Sequence, residues 1–288
     1  GKSTPQGTKT PGGTPAIFDY FPLLESNQQK TAHATTGADN SHNQIFVKGG
    51  KPMGGKALDG RLSCIAAMVP AGGTAVDVGS DHGRLIAHLV QSGRVQRGIA
   101  TDINPGPLEK TRALLRREGL TGRVDALLTD GLTGVEPHGV ATVIIAGMGG
   151  ELIFDILSAW PHRKTPGITW LLQPMTKAPH LRRSLWEAGF ALEEERCCYA
   201  GGRGYTVLRV GYAGAPQLYL PWQPYVGGLV PRTPRDAAFL GQYRRRLLAV
   251  ADARERSAGP TPNTAALREA ARQLDLLLHP GAQSWGTS

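Results

Sequence analysis

The feature that most constrains the fold is a short apolar, β-branched run at residues 74–78, which stops at a glycine turn. A helical pattern follows the turn, and its apolar residues recur on one face: Leu85, Ile86, Leu89 and Val90. A strand that runs into a tight turn and then into a helix N-terminus is a common cradle for a nucleotide-like ligand. Residues 79–83 are therefore predicted to form a ligand-binding loop.

Strand-like and helical patterns continue to alternate over residues 57–212. Apolar runs predict further strands at 98–102, 124–128, 141–146 and 168–172, and a closing antiparallel pair at 190–196 and 205–210. The run at 141–146 is nearly all apolar, as a central strand buried on both faces should be, and we expect it to break at the glycines of 147–150. The pattern predicts an α/β fold with a Rossmann-like, doubly wound, mostly parallel seven-stranded sheet.

The regions on either side of 57–212 differ from it in composition. Residues 1–56 are rich in Gly, Thr, Ser, Pro, Gln and Asn without sustained periodicity, so we expect a disordered leader. Residues 213–288 hold a Pro/Gly-rich connector and two helical patterns, which predict a helical hairpin. Arginines outnumber acids there, and the triplet Arg244-Arg245-Arg246 cannot all face one side of a helix. An outward arginine set fits RNA phosphate binding, and an ordinary charged surface is the alternative.

Composition also restricts the class of protein. No apolar run approaches the roughly 20 residues that cross a bilayer, so we expect no membrane partner. The spacing of Cys64, Cys197 and Cys198 resembles no zinc site, and we expect buried thiols in a reducing, cytoplasmic setting with no metal. The formal net charge of +9 suits a polyanionic partner. We further expect a monomer, and a solvated acidic run at residues 193–195.

Four predicted loops follow successive strands and should meet at one edge of the sheet: 79–83, 102–104, 129–131 and 147–150. Asp102 ends the second strand, where a carboxylate can accept hydrogen bonds from both ribose hydroxyls of a nucleoside. Asp130 follows the third strand, where it could accept from an adenine amino group or hold the next loop. These positions predict a nucleoside-binding edge.

The first loop favours a cofactor without a pyrophosphate. Its residues, Gly79-Ser80-Asp81-His82-Gly83, do not form the GxGxxG dinucleotide fingerprint. Asp77 and Asp81 would repel a pyrophosphate, whereas the amino-acid end and sulfonium of S-adenosylmethionine (SAM) are easier to accommodate. This chemistry favours a methyltransferase over a dinucleotide-dependent dehydrogenase.

Five strings of sequence within 57–212 closely resemble the bacterial TrmK family, in order and at matching spacing. They are Asp77-Val78-Gly79-Ser80-Asp81-His82, Asn104-Pro105-Gly106-Pro107, Asp130-Gly131-Leu132, Ile144-Ile145-Ala146-Gly147-Met148-Gly149-Gly150-Glu151-Leu152-Ile153 and Leu171-Leu172-Gln173-Pro174. The family comprises SAM-dependent tRNA (adenine-N1)-methyltransferases that act on adenine 22. The resemblance implies a Rossmann-like methyltransferase domain at 57–212, followed at 213–288 by a coiled-coil-like helical part that helps to grip tRNA.

The resemblance also assigns cofactor-binding residues. The methionine end of SAM would be lined by Gly79, Ser80, Asp81 and His82, the ribose held by Asp102 (where the family usually has Glu), and the adenine flanked by Asp130 and Gly131. Asp77, Ile103 and Asn104 are also predicted to bind the cofactor. Gly147, Met148 and Gly149 would line the gap between SAM and the target base.

The chain departs from the family pattern at three places near the substrate. Gly83-Arg84 replaces Ala-Tyr, Met175 replaces Asn after Gln-Pro, and Thr206 replaces an acid. Two alternatives therefore accompany the main interpretation. One is a methyltransferase of the same fold that acts on another RNA or a small molecule. The other is a SAM-binding or RNA-binding protein that has lost catalysis.

The reaction itself needs few chemical groups. Adenine N1 carries its own lone pair, so methyl transfer from a sulfonium is a direct displacement that depends on alignment and desolvation. The predicted catalytic residues are Asp81, His82 and Met148; Asp81 or His82 could hydrogen-bond the adenine N6 amino group, while His82 could equally be a turn-forming residue. Because N1 lies on the Watson–Crick edge, the target base must be unpaired or flipped out. Arg84 could stack on that base or be solvated.

Overall fold

The computed structural model describes residues 57–280, and the predicted leader at 1–56 lies outside the described residues. Seven strands alternate with helices in the described part. The strands are β1 Thr74–Val78, β2 Arg97–Asp102, β3 Val124–Leu128, β4 Val140–Gly149, β5 Thr169–Thr176, β6 Phe190–Ala200 and β7 Arg203–Tyr212. The helices are α1 Gly60–Met68, α2 Arg84–Gln91, α3 Pro105–Arg117, α4 Gly150–Ala159, α5 Ala178–Glu187, α6 Gln223–Val226, α7 Pro234–Ala258 and α8 Pro262–Leu278.

The strands form one sheet in the order β3-β2-β1-β4-β5-β7-β6. β1 to β5 pair in parallel, and β7 runs antiparallel to both β5 and β6. The strand order reverses between β1 and β4, and such a switch point is where open α/β sheets bind their ligands. The predicted doubly wound, mostly parallel sheet with a closing antiparallel pair is confirmed.

Two apolar cores cover the two faces of the sheet. On one face Ala75 and Ile144 pack with α1 and α2, and on the other Val76 and Val143 pack with α4 and α5. Because side chains alternate along a strand, Asp77 lies on the α1 face together with Ala75. None of the helices within 57–280 is long and apolar enough to span a membrane.

The sequence predicts that the fourth strand ends at residue 146, before the glycine-rich string, and this prediction was wrong. β4 continues to Gly149, and its pairing with β5 shifts register between Ala146 and Met148 and again between Met148 and Gly149. Gly147 has a φ of 80°, a left-handed conformation that is costly for other residues and common at bulges. The irregular pairing lets β4 continue through these glycines, which in the sequence alone look like the end of a strand.

The prediction of a solvated acidic run at 193–195 fits the exposed Glu193 but was wrong for Glu195. Glu195 is buried and receives hydrogen bonds from Arg182, Nη2 to Oε1 at 2.6 Å and Nε to Oε2 at 3.1 Å. Arg182 Nη1 also donates to the Pro224 carbonyl at 2.6 Å, and the Gly228 amide donates to Glu195 at 3.1 Å. A buried carboxylate is tolerated only with such partners, and here they come from α5 and from the connector after β7.

The helical hairpin predicted for the C-terminal region is present as α7 and α8. Each helix begins with a threonine whose side chain accepts a backbone N–H in the first turn, Thr233 from Asp236 and Thr261 from Thr264. The start of α7 is also fixed to the sheet, since Tyr199 of β6 donates a hydrogen bond to Asp236 at 2.6 Å. The hairpin is therefore attached to the β6 edge of the sheet.

Candidate functional site

The β1 and β3 loops are both tied to one residue of β2, Thr101. Its carbonyl accepts hydrogen bonds from the amides of Gly79 at 2.8 Å and Ser80 at 3.2 Å. Its buried hydroxyl donates to the Gly131 carbonyl at 2.8 Å. Sequence reasoning missed Thr101, although a hydroxyl inside a buried strand, directly before the acid, is a signal that could have identified it.

The β1 loop has an unusual backbone. Gly79, His82 and Gly83 have φ values of 65°, 66° and 67°, all in the left-handed region. A Cβ at Gly79 would lie 2.4 Å from Cε of Met148, so the β1 loop touches the flexible end of the Met148 side chain, which would have to shift if residue 79 carried a Cβ. A left-handed non-glycine residue such as His82 costs about 1–3 kcal/mol, and such residues are often found at functional sites.

The predicted catalytic pair is brought together. Nδ1 of His82 lies 2.6 Å from Oδ1 of Asp81, and the two side chains are 45% and 77% exposed. His82 is thus both a turn-forming residue and an accessible hydrogen-bonding group. Its catalytic role, with that of Asp81 and Met148, stays a prediction.

The two buried acids at this edge differ in their surroundings. Burial raises the pKa of Asp77 to about 7, and the positive charge of Arg61 opposes that rise. Asp102 is held at the end of β2, where its Oδ1 accepts the Asn104 amide at 2.8 Å. A carboxylate has acceptor capacity for several hydrogen bonds, so Asp102 can also receive ribose hydroxyls. Ile103, beside it, is 61% exposed and offers an apolar surface for a flat ring.

The β3 loop opens onto a cavity of about 510 Å³. Asp130 and Gly131 line one end of it, and Leu132, Leu152 and Ile156 contribute apolar side chains. Asp130 is exposed, while the preceding Thr129 donates its amide to the Asp102 carbonyl at 3.0 Å. The second and third loops are therefore joined through their backbones.

The ends of β4 and β5 pair as neighbouring strands and are joined in addition through the side chain of Gln173. The buried Gln173 side-chain oxygen accepts from the Gly147 amide at 3.1 Å and from Nη1 of Arg61 at 2.9 Å. Its nitrogen donates to the Pro174 carbonyl at 2.9 Å. Neither Gln173 nor Arg61 was predicted as a site residue, although Gln173 stood in a recognised string as an amide inside an apolar strand.

The structure brings all thirteen predicted site residues to this one edge, in the β1 to β4 loops or directly before them. Two of the three positions at which the chain departs from the family pattern make contacts away from the four loops. Arg84 donates to the Ala57 carbonyl, and Thr206 is buried in β7. Met175 is exposed, and its sulfur lies 3.6 Å from the Gln173 side-chain nitrogen. In residues 57–280 no cluster of three or more His, Cys, Asp or Glu could hold a metal ion.

The donor set of this edge fits SAM. Ser80 Oγ is buried in the β1 loop and has no hydrogen-bond partner among residues 57–280, as expected of a group that meets a ligand. Asp77 offers a buried carboxyl group that an ammonium would keep ionised, and Asp102 offers acceptors to a ribose. The sheet order and this polar edge define a Rossmann-like methyltransferase.

Comparison with known proteins identifies the family. A family model described as a methyltransferase domain matches residues 58–208, and the chain belongs to that family. The chain is 28% identical over 226 residues to the tRNA (adenine(22)-N(1))-methyltransferase of Bacillus subtilis. The aligned region covers 76% of this chain and 95% of that protein. The resemblance to TrmK that the motifs indicated is confirmed by this match.

Solved structures agree with this assignment. The crystal structure of the B. subtilis M1A22 tRNA methyltransferase TrmK superposes with a TM-score of 0.62 at 26% identity, covering 77% of this chain and 97% of that one. The structure of Streptococcus pneumoniae Sp1610 in complex with S-adenosyl-L-methionine gives a TM-score of 0.63 at 26% identity, covering 74% and 97%. The match thus extends over nearly the whole of both relatives.

Proposed function

We propose that the protein transfers the methyl group of SAM to N1 of an unpaired adenine in tRNA, at the position corresponding to adenine 22, in the cytoplasm. The observation that carries this proposal is the match over 95% of a relative with that activity, together with a site edge that suits SAM. SAM supplies the electrophilic methyl group. The protein's own residues have to bind it, exclude water and align the target base.

The loops divide this work between them. Asp102 and Ile103 hold the nucleoside end of the cofactor, since one accepts hydrogen bonds and the other packs against a ring. Met148 is positioned against Gly79 and limits the space between the cofactor and the target base. Asp81 and His82 stand exposed at the mouth of the site, where they accept from or donate to the adenine edge. No general base is needed, because N1 attacks through its own lone pair.

The RNA-binding part of the proposal rests on fewer arginines than the sequence suggested. Arg244 pairs with Asp275 at 3.0 Å, and Arg268 and Arg272 pair with acids of the hairpin. Arg245 and Arg246 are exposed on the outer surface of α7. These two are the arginines of the triplet that we assign to phosphate contacts.

The proposal is tested with unmodified tRNA transcripts, labelled SAM and mapping of reverse-transcription stops. N1-methyladenine blocks base pairing, so a new stop is expected at adenine 22 in the D-arm. A transcript with guanine at position 22 is the matched control and should gain neither label nor stop. Label at another position would favour the same-fold alternative, and SAM binding without any label on a panel of tRNAs would favour the protein that has lost catalysis.

A further inference from the structure

The turn between β6 and β7 lies at the same edge of the sheet as the four loops. β5 pairs in parallel with β4, so its C-terminal end is at that edge. β7 is antiparallel to β5, with Leu208 opposite Leu172, and its first residue, Arg203, therefore lies near that end. β6 ends at Ala200, which pairs with Arg203. The β6–β7 turn is thus next to the end of β5, beyond Gln173.

The first turns of α7 pack against the β6–β7 turn. Tyr199, just before the turn, donates a hydrogen bond to Asp236, and the guanidinium of Arg235 lies over its ring, 4.1 Å from the centroid. A Cβ at Gly204, just after the turn, would lie 2.4 Å from the ring of Phe239. The start of α7 is therefore held at the edge of the sheet where the loops meet.

From this start, α7 runs along β6 and away from the edge. Tyr243, further along the helix, donates to the Tyr225 carbonyl at 3.0 Å. This part of the connector is also held by the buried pair of Arg182 and Glu195. Glu195 precedes Tyr199 on β6 and so lies farther from the edge. The N-terminus of α7 is therefore the part of the helix nearest to the loops.

Five exposed arginines along this path have no acidic partner among residues 57–280, and we call them the arginine row. One is in the turn and four are on α7: Arg203, and Arg235, Arg245, Arg246 and Arg256. An α-helix has 3.6 residues per turn, so the four on α7 fall within about 100° of one another, opposite the buried Leu240 and Leu247. Its rise of about 1.5 Å per residue puts Arg246 about 16 Å beyond Arg235 along the axis, and Arg256 about 31 Å beyond it.

The arginine row complements the backbone of a nucleic acid. Arg244 and Arg272 are paired with acids of the hairpin, whereas the row presents its donors to solvent. Arginine has a planar fork of N–H donors that matches phosphate oxygens. The ring of Tyr199 holds Arg235 by its face, which leaves the N–H groups at the edge of the guanidinium available to a phosphate. Because the row ends beside the site proposed for the target adenine, it fits the strand that carries this adenine better than an acidic protein surface.

We infer that the tRNA backbone runs along α7 to the β6–β7 turn, where Arg203 and Arg235 bind the phosphates that flank the target nucleotide. Arg245, Arg246 and Arg256 bind phosphates farther from the target base. Because this takes tRNA as the substrate, it rests on the proposed function. It gives the β6–β7 turn, which is outside the four loops, a role in placing the target base.

The test uses synthetic tRNA in which a methyl group replaces one charged oxygen in each of the two phosphates beside adenine 22. By fluorescence anisotropy, the wild-type chain should bind this neutralised tRNA about threefold to tenfold more weakly than ordinary tRNA, because charged hydrogen bonds are lost. Arg203→Ala with Arg235→Ala should weaken binding of ordinary tRNA and abolish that difference. Arg245→Ala with Arg246→Ala is the matched control, and it should also weaken binding but keep the difference.

Equal binding of the two tRNAs by the wild-type chain would overturn the inference without any variant. A difference that persisted after the loss of Arg203 and Arg235 would overturn it as well. Should the double variant fold poorly, Arg203→Ala alone gives the same comparison, since this exposed side chain has no partner to lose among residues 57–280. Methylation of adenine 22 by a chain that binds both tRNAs equally would leave the proposed function intact, whereas no methylation there would remove the function itself.

Discussion

The two halves of the site are built by different means. In the half proposed for the cofactor, here called the cofactor half, the loops after β1, β2 and β3 are joined mainly by backbone hydrogen bonds to the Thr101 and Asp102 carbonyls, with one further bond from the Thr101 hydroxyl. In the half proposed for the target base, here called the target half, the paired ends of β4 and β5 are joined in addition by the Gln173 side chain, which also holds Arg61 of α1. Backbone connections tolerate changes of side chain, whereas a side-chain hub does not. Among substitutions that remove a connection between loops, those in the target half should therefore cost the most.

The largest effect is expected at Asp77, in the cofactor half. Its pKa in the folded protein, about 7, lies above the ordinary value of 3.8, so the native state binds this proton more tightly than the unfolded chain. The stability that this proton binding provides is present below about pH 4 and is lost as the pH rises to 7, a change of about 4 kcal/mol. Urea unfolding of ligand-free wild type and Asp77→Asn across this range should show that only the wild type has this loss. Parallel pH profiles would contradict it.

The next largest effect is expected where the two halves touch. Gly79→Ala places a Cβ 2.4 Å from Met148 Cε and adds a side chain at a φ of 65°, so it should reduce methyl transfer about a hundredfold, because Met148 has to shift and the reactants are misaligned. Gly93→Ala is the matched control, since Gly93 has a similar φ of 71° but no atom within 4 Å of the added Cβ. Gly93→Ala should lose stability without losing activity per folded molecule. Equal activities in the two variants would show that methyl transfer does not depend on the contact between Gly79 and Met148.

Gln173 tests the side-chain hub directly. Gln173→Leu leaves the Gly147 amide and Arg61 without their acceptor, and we expect the free energy of unfolding to fall by about 3 kcal/mol. Gln91→Leu, at an exposed position on α2, should change it by less than about 0.5 kcal/mol. Denaturant titration measures both. A neutral Gln173→Leu would mean that the target half does not depend on this hub.

Asp102 tests the ribose contact of the cofactor half. Asp102→Ala should weaken SAM binding by about 1–3 kcal/mol, the cost of an orphaned polar contact. Asp125→Ala removes an exposed acid on the neighbouring strand and should leave calorimetric affinity unchanged. If Asp102→Ala bound SAM like the wild type, the nucleoside would lie elsewhere.

The smallest effect is expected beyond the target half, on α7. Substituting Arg245 and Arg246 by alanine should weaken tRNA binding and reduce the slope of log affinity against log salt by about 1 for each phosphate that is no longer neutralised. Arg272→Ala, at an arginine already paired with Glu269, should leave the slope unchanged. Identical slopes in all three proteins would place the RNA on another surface.

The comparison also explains what could be predicted from the sequence. Strand, turn and helix starts are local, so the bounds of β1 and β3 and the loops at their ends were predictable. The hub was not, because Arg61 and Gln173 are 112 residues apart and meet only through the sheet order. Glu195 was misjudged for the same reason: a strand acid is expected in solvent until Arg182 of α5 is placed beside it. Conformation can be read locally, whereas partners require the topology.

The buried Arg182–Glu195 pair fixes where the α7–α8 hairpin stands relative to the sheet. It pins the chain at Pro224 and Gly228, just before α7, to the interior of the methyltransferase fold. Removing one partner from such a pair costs about 3–5 kcal/mol, so the root of the hairpin cannot drift relative to the sheet. The distance from Arg245 and Arg246 of α7 to the loops at the sheet edge is thereby fixed. If the hairpin binds RNA phosphates as proposed, this fixed distance would select the nucleotide that reaches the site.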